Sequence, residues 1–133
     1  MITHDLRYFK LSEFKHPELV DPVAASMLDE IRHQYGKELT LTDDARLPGD
    51  RPVGSVADSL HYKGQAFDIR TKDKNAVDLF SLLDAVYNVS KWIARGTKSG
   101  VEVELVSSTT DHHLHVGFWL GERSYNTLTV RAE

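Results

Sequence analysis

Apolar residues recur along 21-DPVAASMLDEIRHQYG-36 at Val23, Met27, Leu28, Ile31 and Tyr35, the three-and-four spacing that lays one stripe on a helix. Asp21 stands where an N-cap belongs, Pro22 suits the first helical position, and Gly36 suits the stop. The period changes at 38-ELTLT-42, a short alternating strand. Neither period survives in 43-DDARLPGDRPVGSVADS-59, whose Asp, Gly and Pro predict a loop. Loops of that length in a small domain usually carry function.

Alternation returns at 65-QAFDIR-70, a buried strand with Ala66, Asp68 and Arg70 on one face and Gln65, Phe67 and Ile69 on the other. A second helix begins near Asn75 and carries Val77, Leu79, Phe80, Leu82, Leu83 and Val86; it continues, or restarts at Ser90, through Trp92 and Ile93 to Gly96. Two strands, 101-VEVELV-106 and 114-LHVGFW-119, are joined by a Ser/Thr/Asp turn as a hairpin. Phe80, Trp92, Phe118 and Trp119 are expected in the core, whereas Glu102 and Glu104, alternating with valines, form a solvated face from which one could reach a neighbouring site. These elements predict an α+β fold, a small antiparallel sheet with helices packed against it.

At 133 residues and 41% hydrophobic, residues 1–133 are expected to form one domain with one core. The 16 basic and 20 acidic residues give a net charge of -4, and no basic run or interleaved aromatic stripe is present. Nucleic acid is therefore not an expected partner. The absence of cysteine excludes disulfides, thiolate nucleophiles and Cys-based zinc sites, so a metal would have to be held by histidine and carboxylate. No apolar run is long enough to span a bilayer, and no charged-then-apolar leader opens the chain. A monomer made in the cytoplasm without membrane insertion is the expectation.

The chemistry gathers in two stretches. In 59-SLHYKGQAFDIR-70, His61 ends the long loop, Gly64 allows a tight turn, and Asp68 sits in an apolar strand where burial demands a cation or donors. In 107-SSTTDHHLHVGFW-119, His113 and His115 are two apart and share a strand face. His61, Asp68 and one of the two later histidines make the three N/O ligands typical of catalytic zinc. The plain alternatives are a surface histidine, a carboxylate paired with Arg70 or Lys72, and a polar hairpin turn.

The pattern S-x-H-x-x-G-x-A-x-D, filled by Ser59, His61, Gly64, Ala66 and Asp68 and followed by His113-x-His115, resembles the zinc D-Ala-D-Ala carboxypeptidase/endopeptidase family, peptidase M15, which includes phage endolysins and shares its fold with hedgehog signalling domains. The resemblance extends to 8-YFKLSEF-14, 28-LDEIR-32 and 53-VGSVADSLH-61 in the same order. It implies Zn²⁺ held by His61, Asp68 and His115, with His113 as a nearby imidazole. It also implies hydrolysis of peptide bonds in bacterial peptidoglycan, as an endolysin-type endopeptidase or D,D-carboxypeptidase working at the cell wall. Arg46, in 43-DDAR-46, stands where the family places a substrate-binding arginine, and Ser59 either contacts substrate or orients His61.

The chain departs from the family at the general base. The residue three before His115 is His112 rather than a carboxylate, and Asp111 lies one position further back. A bulge at the hairpin mouth would bring Asp111 to the attacking water, the preferred reading; otherwise His112 or His113 serves. With no base at all, the domain would be a catalytically silent zinc-binding unit used for recognition or structure.

Overall fold

The computed structural model describes residues 1–47, 59–93, 99–107, 111–121 and 126–132. Most of the expected 43–59 loop, the 53–58 part of the family-like segment and the centre of the Ser/Thr/Asp turn, 108–110, lie outside these residues.

Helix α1 spans Pro22–Tyr35 and is stopped at both ends as its sequence dictates. The Asp21 carboxylate accepts from Val23 N at 2.8 Å and Ala24 N at 3.1 Å, and Gly36 ends the helix at φ 77°. Strands β1 (Leu41–Asp43), β2 (Ala66–Arg70), β3 (Gly100–Ser107), β4 (His112–Trp119) and β5 (Thr127–Ala132) form one sheet in the order β1-β2-β4-β3-β5. Helix α2, Ala76–Ile93, is continuous through Ser90 and packs against α1 and β3. Three short 3-10 turns, Leu11–Glu13, Pro17–Leu19 and Leu60–Lys63, complete the described elements.

The α+β expectation holds, with one addition to the sheet. Neighbours β1–β2, β2–β4 and β4–β3 are antiparallel, but β5 pairs with β3 in parallel and makes the sheet mixed. β1 is shorter than the 38–42 alternation suggests, because pairing with β2 begins only at Leu41.

The sheet has two unlike faces. One presents Phe67, Ile69, Leu114, Val116, Phe118, Val101 and Val103 to Leu28, Ile31, Leu82, Val86 and Val89 of the helices. The segment before α1 closes this core, since Phe9, Phe14, Phe67 and Phe118 follow one another at ring separations of 5.7, 6.2 and 6.3 Å. The other face carries Asp68, His113, His115 and Gly117, with a small cluster of Leu60, Ala66 and Trp119 beside them.

Phe80 and Trp92 are not in the core: they are 69% and 67% exposed, and Val77 and Val23 are exposed as well. On α2 the inward stripe is Leu82, Ala85, Val86 and Val89, and Val77, Phe80 and Tyr87 fall on the opposite side of the same helix. Apolar identity overstated their burial where helical phase decided it.

Candidate metal centre

The centre is built on the cross-strand pair Asp68 and His115. Antiparallel register sets these residues opposite each other on β2 and β4, with both side chains on the face away from the helices. His115 Nδ1 lies 3.1 Å from Asp68 Oδ1.

His61 approaches from the 3-10 turn that precedes β2. Ser59 caps this turn, its hydroxyl oxygen accepting from His61 N at 3.3 Å, and Gly64 ends it at φ 68°. Gly64 is required twice over, because a Cβ there would lie 2.0 Å from the Leu19 carbonyl oxygen. The His61 ring is 3% exposed as a residue, and its Nδ1 lies 2.6 Å from the Asp44 carbonyl oxygen. A carbonyl only accepts, so Nδ1 carries a proton and Nε2 is the nitrogen turned inward. Nε2 is 3.3 Å from Asp68 Oδ1.

Donor atoms of His61, Asp68 and His115 all lie within 4.8 Å of one another, the one such group among the described residues. Two imidazoles and one carboxylate, without sulfur, fit a catalytic zinc set that leaves a position for water. The fixed His61 tautomer fits it too, since a ligand imidazole commonly donates its other N–H to a carbonyl or carboxylate.

Without a metal, the cluster is held by protons. Burial opposes the charge on Asp68, but hydrogen bonds from His115 and His61 prevail and hold its carboxyl well below the usual range. Burial likewise opposes an imidazolium at His115, yet the carboxylates of Asp68 and Glu102 push its pKa up to about 9. Glu102 Oε2 lies 2.7 Å from His115 Nε2, so this ring sits between two acids.

Arg46 stands at the rim. Its guanidinium bonds Asp43 through Nε at 2.9 Å and approaches Asp68 Oδ2 at 4.0 Å. Asp43 and Asp68 are themselves cross-strand partners, so Arg46 relieves the repulsion between two carboxylates while presenting its edge to the site. Its backbone N–H donates to the His61 carbonyl at 2.9 Å, tying it to the ligand turn. Asp44, fully buried beside it, binds the N-terminal segment: its carboxylate accepts from Lys15 N at 2.6 Å and His16 N at 3.2 Å. Burial pushes the Asp44 carboxyl up, against those two amide donors.

At the other rim, His113 Nε2 is 3.9 Å from Asp68 Oδ1 and its Nδ1 is 2.8 Å from Asp111 Oδ1. Among the described residues no bulge interrupts the hairpin: the β3–β4 ladder runs regularly from Gly100↔Trp119 to Ser107↔His112. In regular register Asp111 and His113 share a face, and the carboxylate lies on the outer nitrogen of His113. His112 is exposed and falls between them in the alternation.

Sequence reasoning placed Glu102 on a solvated face that could reach the site, and it does reach. Asp44 escaped it, since a buried acid in a polar loop has no periodic signature. No helix among the described residues is long and apolar enough to cross a membrane.

None of the curated proteins or solved structures compared with the chain matches it. A family model described as Peptidase M15 does, over residues 8–100, which takes in His61, Asp68, Arg46 and Ser59 and stops before the β4 histidines. That match covers more than half of the 133 residues, and the chain belongs to the peptidase M15 family.

Proposed function

We propose that this chain is a zinc peptidase that hydrolyses peptide bonds in bacterial peptidoglycan, as an endolysin-type endopeptidase or D,D-carboxypeptidase acting as a monomer at the cell wall. The observation that carries the metal reading is the convergence of His61, Asp68 and His115 donors within 4.8 Å in a member of a peptidase family. The wall substrate is what the sequence resemblance implies.

His61 through Nε2, Asp68 through a carboxylate oxygen and His115 through Nδ1 would hold the ion. Zinc, when bound, polarises a scissile carbonyl and acidifies a water. The chain's own groups do the rest. His113 Nε2 faces the centre and takes the proton of the attacking water, while Asp111 on Nδ1 holds the ring in the tautomer that leaves Nε2 free to accept. The same ring then returns the proton to the leaving amine. Arg46 lies beside Asp68 and binds the carbonyl oxygen or a substrate carboxylate. Ser59 serves the centre through the His61 turn, at the edge where a substrate chain would enter.

Purified peptidoglycan digested with and without a chelator, with the fragments weighed by mass spectrometry, tests the proposal. Chelator-sensitive cutting is expected, and the fragment masses name the bond. Zinc retention without cutting would instead support a silent metal-binding domain, as the displaced carboxylate at position 111 allows.

A further inference from the structure

Glu102 has no part in the proton path just described, yet the sheet holds it against a ligand. Its direct cross-strand partner is Gly117, whereas His115 pairs with Glu104. To place Oε2 2.7 Å from His115 Nε2, the Glu102 side chain leans diagonally across β4 and passes over Gly117. The missing side chain at 117 makes the room. A Cβ there would lie 3.3 Å from Glu102 Oε2, 3.4 Å from His115 Nε2 and 2.7 Å from Leu60 Cδ1. Glu104, two residues on, turns to the opposite neighbour, β5, and pairs with Arg131 at 3.3 Å.

We propose that Glu102 is a positioning residue of the metal centre. Its carboxylate accepts the Nε2–H of His115, fixes that tautomer, and so presents Nδ1 toward Asp68 and His61, with Gly117 as the gap that lets the contact form. The inference rests on the zinc reading above. A carboxylate behind a ligand imidazole orients the ring and strengthens it as a donor, and losing such a partner typically weakens metal binding by roughly 10–100-fold. A glutamate on a merely solvated strand face would leave metal affinity untouched.

The test is zinc affinity by competition with a chromophoric chelator for the intact chain, Glu102→Ala, Glu102→Gln and Gly117→Ala, with thermal melts of each metal-free protein. Glu102→Ala is expected to bind about 10–100-fold more weakly. Glu102→Gln should lose less, because its amide oxygen still accepts from Nε2–H. Gly117→Ala should weaken binding although every ligand remains. Nitrogen-detected NMR of the zinc-loaded chain should find the His115 proton on Nε2. The inference falls if the intact chain binds zinc and neither Glu102 variant changes the affinity, whatever happens to the melting temperature, or if the His115 proton sits on Nδ1. If Glu102→Ala does not fold, Glu102→Gln and the NMR assignment decide. Failure of the intact chain to bind zinc overturns the metal reading itself, a result distinct from unchanged affinity in the variants.

Discussion

Zinc uptake should expel a proton from His115. In the metal-free chain the ring lies between Asp68 Oδ1 at 3.1 Å and Glu102 Oε2 at 2.7 Å, and its pKa is pushed up to about 9 from 6.5. At pH 7.5 it is almost wholly an imidazolium, and a ligand imidazole must give up the proton on its binding nitrogen. Uptake then releases about one proton from this ring, against about 0.1 for a histidine at its ordinary pKa. Apparent affinity should rise nearly tenfold per pH unit until pH nears 9, about 50-fold or ~2.3 kcal/mol from pH 7 to 9. Titration calorimetry in buffers of different ionisation enthalpy counts the proton directly. Release near zero at pH 7.5, with affinity flat from pH 7 to 8.5, would refute the two-carboxylate geometry. Glu102→Gln should lower the count by removing one of the two charges.

The same ring links pH to the stability of the metal-free chain. Its folded pKa is raised, so its contribution is complete below about pH 6.5 and is lost as pH rises through about 9. Asp68 is depressed, so its contribution is present above pH 3.8 and is lost on acidification below that. Melts in chelator should fall by on the order of 3 kcal/mol between pH 6 and 10, and a flat profile would contradict this. If Asp111 acts through His113, His113→Ala and the Asp111→Ala/His113→Ala double variant should lose turnover equally, roughly 100-fold or more, with zinc retained; losses that multiply would separate the two residues. Gly64→Ala should cost more than about 2 kcal/mol in denaturant melts, since both φ and the Leu19 carbonyl oppose it.

The parts of the molecule that depend on neighbours in sequence were legible. Asp21, Pro22 and Gly36 bracket α1 because caps act within a turn, and strand alternation alone put Phe67 and Ile69 opposite Asp68. His113 and His115 share a face for the same reason. What escaped depends on register between distant strands. β5 pairs in parallel with β3, and its Leu128 and Val130 stay exposed, so its pattern announces no buried face. Glu102 reads as one more polar position until the sheet sets Gly117 beside it. Asp111 stands one residue before the family's base position, and along the described ladder its carboxylate lies on His113. Phe80 and Trp92 show that an apolar count along a helix does not fix which side faces inward.

Asp44 works from both ends. Its carboxylate holds the amides of Lys15 and His16, and its carbonyl holds the ring of His61. Peeling the N-terminal segment away would strip a fully buried acid of its donors and release the peptide that keeps His61 in its tautomer. The segment and the pocket therefore open together as one cooperative unit. Amide exchange at Lys15 and His16 should slow when zinc binds, which makes the start of the chain a reporter on an ion held by residues 61, 68 and 115.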